Sequence, residues 1–464
     1  MKRLLIRPAF LPAMDFDDVE NTSSWKFPIK VNLLNCFRPN TIEQQIAKKE
    51  ETTAKIIQSG KKALKLCSNV EDLTVVLHDH RLTPPFVSFL NSFWKADSIG
   101  PRLRTLHLHM TLSKLPIFLR PLINSPTILR NLDALSIDFA PSRFDIPYDR
   151  GHHKNATRES YRALSLLHSF LRLLEHSLTA ISISSHSAHY FAALLADISS
   201  HFPNLKKVEL FTIFSHTASQ IAPLFWFLSK HSNQLEEITI KPYPRQTSFS
   251  RSDDSYAVWI SDWASDGFGA LGFPQLKVFD VGLREHPKTR TTPNAKSIPD
   301  LGILAPNLRR LVMGDLALSF EPIDDLVSAL GPGLESIEFV AAVLSPQLFD
   351  LLASKVPSLE MLSVEYKVIS NTKDNTGDRS SVSRPRPNIM FPLTPSFQAR
   401  FVEMMCTRRY PHWKLKHLRI SAIASCGLPH PSVWLMKNVA EAFSLEVQVD
   451  ATYRCYCDDA FGSP

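Results

Sequence analysis

Glycine is scarce in this 464-residue chain, at 14 residues, and cysteine scarcer still, at six. So few glycines argue against a fold built on tight two-residue hairpins, whose central positions need positive φ. Six scattered cysteines (Cys36, Cys67, Cys406, Cys426, Cys455 and Cys457) are too few for a disulfide framework at this length. They point to a reducing compartment, cytoplasmic or nuclear. Nowhere do about 18 apolar residues run together, so no membrane span is expected. The first apolar run ends at Arg7 and Pro8 after three residues, which argues against a secretory leader. The sequons at Asn21 and Asn155 are then chance matches. Catalytic signatures are missing too: no G-x-G-x-x-G, P-loop, G-x-S-x-G or H-E-x-x-H occurs.

Candidate metal ligands are equally thin. His152-His153 has no third ligand beside it, and Cys455-Tyr456-Cys457 lacks a second cysteine pair. Cys406, His412, His417 and Cys426 lie close in sequence, but His417 falls where a strand is expected. We therefore expect no enzyme, no metal and no cofactor. The formal charge is +7, yet segments 42–66, 284–296 and 367–386 each carry +3. The remainder is slightly acidic, so the surface as a whole is not a basic one. Binding of nucleic acid or anionic surfaces through the basic loops remains the alternative reading.

What is abundant is a phrase: aliphatic, two variable residues, aliphatic, one variable, aliphatic. It occurs as Val70-x-x-Leu73-x-Val75, Leu103-x-x-Leu106-x-Leu108, Leu132-x-x-Leu135-x-Ile137 and Leu178-x-x-Ile181-x-Ile183. It returns at Leu205, Leu235, Leu276, Leu308, Leu334, Leu359 and Leu415, making eleven copies. Most steps between copies are 25 to 33 residues, and three longer ones, of 41, 46 and 56, need insertions. The last two aliphatics, two apart, share one face of a short strand. Between copies lie helical stripes such as Tyr161, Leu164, Leu167, Leu171 and Leu174, or Phe86, Phe89, Leu90 and Phe93. Prolines punctuate the junctions at Pro203, Pro274, Pro306 and Pro357, where each should stop a helix and hold the chain extended into the strand. A doubly wound sheet would bury both strand faces and read as continuous apolar runs. Here polar residues such as His107, Ser136, Glu209, Asp280 and Glu338 intervene. The expected fold is α/β: a leucine-rich-repeat solenoid, or horseshoe, with parallel strands on the concave face and helices on the convex face.

The Pro-x-Leu-x-x-Leu-x-Leu phrase and its irregular spacing over roughly residues 66–450 resemble the repeat region of fungal F-box/leucine-rich-repeat proteins. The F-box itself is not recognisable: Leu11-Pro12-Ala13-Met14-Asp15 opens similarly but leads into a polar run without helical spacing. The resemblance implies a non-catalytic protein-recognition scaffold, with ubiquitin-ligase substrate recognition and a cullin-ligase adaptor among its expected associations. The organisation expected is an irregular lead-in and capping helix over 1–65, the solenoid over 66–450 and a tail over 451–464. The lead-in is strand-like near Trp25–Phe37 and its helix spans 40–65. Insertions fall near 243–256, 284–297 and 369–389, with a helix near 432–443 before a last strand at Leu445–Val449.

The polar residue between the final aliphatics must point away from the core, as must its neighbours two residues either side. Those rows hold the acids Asp72, Asp138, Glu209, Glu237, Asp280, Glu338 and Glu365 and the bases Lys207, Lys241, Arg310 and Arg419. Glu209, Glu237, Asp280, Arg310 and Glu338 are the candidate partner-binding residues. The three acids in consecutive copies form an expected dock for a basic segment of a partner.

Overall fold

The computed structural model describes residues 3–6, 39–64, 67, 69–77, 82–94, 99–140, 153–185, 188–198, 201–212, 218–242, 272–282, 301–331, 333–369, 395–424 and 448–455. The lead-in around Trp25–Phe37, the insertions at 243–256 and 284–297, nearly all of 369–389 and the helix near 432–443 lie outside them.

The chain forms two compact units, Met1–Leu205 and Lys206–Pro464. In the first, five strands alternate with helices: β1 (Arg3–Ile6), α1 (Pro39–Leu64), β2 (Asp72–Leu77), α2 (Pro84–Asn91), β3 (Thr105–Met110), α3 (Leu115–Ile123), β4 (Ala134–Phe139), α4 (His153–Leu173), β5 (Ala180–Ser185) and α5 (Ala188–Asp197). The second holds β6 (Lys207–Thr212), α6 (Ala218–His231), β7 (Glu237–Pro242), β8 (Val278–Gly282), α7 (Leu301–Leu304) and β9 (Arg310–Leu318). It continues with α8 (Phe320–Ala329), β10 (Ser336–Leu344), α9 (Pro346–Lys355), β11 (Met361–Ile369), α10 (Pro395–Cys406), β12 (His417–Ala424) and β13 (Gln448–Cys455).

Within each unit every strand pairs in parallel with the next in sequence. The register follows the phrase itself, because the second aliphatic of one copy faces that of its neighbour. Leu73, Leu106, Leu135 and Ile181 form such a row in the first unit. In the second the row runs Val208, Ile238, Phe279, Leu311, Ile337, Leu362, Leu418 and Val449. A slip of one residue would turn each aliphatic out of the core, so burial pins the register. Leu235, Ile238 and Ile240 are fully buried, and the residues between aliphatics are half-buried along β3, β4, β5 and β6. Along β3–β6 one strand face is thus packed and the other half-open, which is a repeat-like pattern and not that of a sheet wrapped on both faces.

The prolines act differently from the simple stop that their positions suggest. Each occupies the second residue of a β-turn whose fourth residue is the leucine opening the phrase. Leu205 N donates to Phe202 O, Leu276 N to Phe273 O, Leu308 N to Ala305 O and Leu359 N to Val356 O. Proline's fixed φ suits that turn position. The residue after the proline then ties one copy to the copy before it. Asn204 Nδ2 donates to His176 O and Asn307 Nδ2 to Pro274 O, each at 2.7 Å. One carbonyl per copy also accepts two successive N–H groups from the next, as Glu236 O does from Lys277 and Val278.

Two ends depart from expectation. The first strand is Arg3–Ile6, whose Leu4 pairs with Leu73 and whose Arg3 guanidinium reaches Asp72 at 3.2 Å. A four-residue run carries no period worth reading, so only pairing with β2 reveals it. At the other end the strand is Gln448–Cys455, overlapping the expected Leu445–Val449 at two residues and running into the expected tail. It pairs with β12 over its whole length, which the partner strand's own length permits.

Candidate functional site

The open face of β6–β12 presents one mostly polar row, in which Val312 and Ser363 are themselves buried, and its two flanking rows. In the central row Glu209, Thr239, Asp280, Val312, Glu338, Ser363 and Arg419 lie side by side. The row before it holds Lys207, Glu237, Val278, Arg310, Ser336, Met361 and His417. All five candidate residues therefore stand on the open face of one unit, one per strand from β6 to β10.

Their electrostatics differ along the face. Lys207 Nζ lies 3.0 Å from Glu209 Oε1 and 3.2 Å from Glu237 Oε2. Burial works against the charge of Lys207, yet its hydrogen bonds to the two glutamates outweigh that and raise its pKa. Lys241 Nζ sits 2.7 Å from Asp280 Oδ2. The other oxygen of Asp280 is buried and has no hydrogen-bond partner among the described residues. The three acids expected to attract a basic segment are thus already engaged by two lysines of their own face. The signal was in the sequence, because Lys207 and Glu237 hold the same place in consecutive copies. Parallel in-register pairing makes such residues direct neighbours. The first unit repeats the pattern: Asp72 bridges Arg3 and His107, and His109 Nδ1 meets Asp138 Oδ2 at 3.1 Å.

Further along the face the pattern changes. Arg310, Glu338 and Arg419 have no ion-pair partner among the described residues, and Arg310 and Arg419 are exposed. Between them Met361 is 45% exposed. A cationic, an anionic and an apolar contact point are carried by four adjacent strands, β9 to β12. Sequence reasoning singled out Arg310 and Glu338 but missed Met361, because only the acids and bases of these rows were counted.

Just ahead of the strands runs a second charged row, closely paired in this unit. Glu236 bonds Lys206 at 2.8 Å and Lys277 at 2.6 Å, Arg309 meets Glu335 at 3.2 Å, and Lys416 meets Glu360 at 2.8 Å. The two lysine hydrogen bonds hold the carboxyl of Glu236 down at about 2.

Among the described residues no group of three or more His, Cys, Asp or Glu side chains could hold a metal, and no helix is long and apolar enough to cross a membrane. Of the thin metal candidates, Cys406 is an exposed free thiol, while His152, Cys426 and Cys457 lie outside the described residues. No family model matches the chain, and no curated protein does. Among solved structures it is similar to a chain of the yeast Rad7–Elc1 complex, at 13% identity over 75% of this chain and 94% of that one. The TM-score is 0.34, too loose a superposition to assign a family, a partner or an activity.

Proposed function

We propose that this chain is a non-catalytic protein-recognition scaffold, a leucine-rich-repeat horseshoe whose concave face is the open strand face and whose partner docks on β9–β12. The observation that carries this reading is the set of Arg310, Glu338, Arg419 and Met361, one exposed or half-exposed contact point per strand on a rigid sheet. Charges without partners gain most from a complementary surface, whereas Lys207 and Lys241 must first give up their own carboxylates. Placement on strands, not loops, keeps the contact points at fixed spacing, which suits recognition of another folded surface. A role as a ubiquitin-ligase substrate receptor without a clear F-box is the finer form of the proposal.

The test is quantitative affinity capture from the source cell with full-length bait. Reversal of Arg310 to Glu together with Glu338 to Lys should deplete at least one captured protein by roughly tenfold, the scale of a lost interfacial charge pair. The melting temperature should stay at the wild-type value, because neither residue fills the core. Recovery of an unchanged set of proteins at physiological salt would overturn the docking site. Glu209→Lys with Glu237→Lys and Asp280→Lys is the comparison: it breaks the pairs to Lys207 and Lys241 and should lower the melting temperature. Capture of a cullin-ligase adaptor by the wild-type chain would support the finer form, and its absence would remove it.

A further inference from the structure

The charged row ahead of the strands is built differently in the first unit. There one pair is long: Arg104 Nη1 lies 3.7 Å from Asp133 Oδ2, with both side chains well exposed. Around it an open depression of about 1190 Å³ is bordered by residues from the turns and strand starts of consecutive copies. Three guanidinium groups line it, those of Arg102, Arg104 and Arg130, against two carboxylates, Glu71 and Asp133. All three arginines are exposed. Arg102 Nη1 is fixed by donating to Asn69 Oδ1 at 3.2 Å, and Arg130 has no ionic partner among the described residues. Leu173, itself 44% exposed, adds an apolar edge at the end of α4.

From this we propose that the depression is a docking site for an acidic segment of a partner protein, with Arg130 taking a carboxylate side chain and Leu173 an adjacent aliphatic one. The lining carries one more cation than anions, which a single carboxylate balances. Arginine's planar fork pairs with a carboxylate through two parallel hydrogen bonds, a geometry that a lysine could not supply. The long, exposed Arg104–Asp133 contact contributes little as it stands and can yield to a better-placed anion. In the second unit the row that corresponds to Arg104 and Asp133 is closely paired instead: Lys206, Lys277, Arg309 and Lys416 each hold a glutamate within 3.2 Å. This site is separate from the open strand face, so it stands or falls independently of the docking proposed there.

The measurement is fluorescence anisotropy of the full chain with a labelled peptide alternating Glu and Leu. Its controls are the same peptide with Gln for Glu and one with phosphoserine for Glu. We expect saturable binding of the Glu peptide, weakened by salt, and at least tenfold weaker binding of the Gln peptide. Arg130→Glu should weaken the Glu peptide by tenfold or more, and Arg130→Lys by a smaller factor, without moving the melting temperature. Equal affinity for the Glu and Gln peptides, or an Arg130→Glu chain that binds as wild type does, would overturn the proposal. Tighter binding of the phosphoserine peptide with no saturable binding of the Glu peptide would overturn the carboxylate assignment. No saturable binding of any peptide would overturn the site itself.

Discussion

At the scale of single residues, the core tolerates few polar atoms and one of them stands out. Tyr366 on β11 is 1% exposed and pairs in register with Ala341 and Ala422 on the flanking strands. Burial pushes its phenol well above the usual range, so it stays neutral. Among the described residues its hydroxyl has no hydrogen-bond partner. A buried donor without a partner costs its desolvation, so removing it should help. Tyr366→Phe is expected to stabilise the fold by about 1 kcal/mol, read as a higher urea midpoint at unchanged slope. A lower midpoint would mean that the hydroxyl is satisfied after all. Asp350 shows the opposite case. It accepts from Arg408 Nε at 3.0 Å and from Tyr410 OH at 2.8 Å, tying α9 to the segment after α10.

At the scale of elements, neighbouring strands are joined by charge as well as by backbone. The carboxylate of Glu236 lies between lysines from the strand segments on either side. Its folded pKa, near 2 against an ordinary 4.5, sets the sign of the pH effect. A depressed carboxyl stabilises the fold above its unfolded value and loses that contribution as pH falls through the folded one. The wild type should therefore melt higher than Glu236→Gln above about pH 4.5, and the gap should close between pH 4.5 and 2. Added salt should narrow it as well, since the group is partly exposed. A gap that does not change with pH would show that Glu236 acts through packing and not through its charge. The same pairing rule, one strand over and in register, joins Glu237 to Lys207, which also holds Glu209 two residues along its own strand. It also leaves those acids less available to a partner than their number along the chain suggests.

At the scale of the molecule, each copy of the phrase buries its aliphatics only against the copies beside it, so damage should stay local. Leu362 is fully buried, in register between Ile337 and Leu418. Leu362→Ala should cost about 2–5 kcal/mol by removing buried methyl groups and leaving a cavity. Hydrogen exchange should then quicken chiefly in β10, β11 and β12, because stability in a repeat array is a sum of neighbouring terms. Equal acceleration in β2–β5 would mean that the two units unfold as one body and that the nearest-neighbour picture is wrong.

The sequence by itself determined where the eleven phrase strands lie and which face of each is buried. Aliphatics two apart can share a side only in extended chain, and repetition at 25 to 33 residues leaves them nothing to pack against but one another. It also determined α1 to within a residue at each end, from a charged run without a breaker. Tertiary structure decided the rest. The strand at Arg3–Ile6 is too short to carry a period, and it exists through pairing with β2 some 70 residues away. Which charges remain available was decided the same way. Lys207 and Glu237 are 30 residues apart and become neighbours only when β6 and β7 align in parallel, whereas Arg310 and Glu338 form no ion pair among the described residues. Sequence fixes what each residue is, but pairing between strands sets which charge lies a few ångströms from which, and at that distance an ion pair either forms or does not.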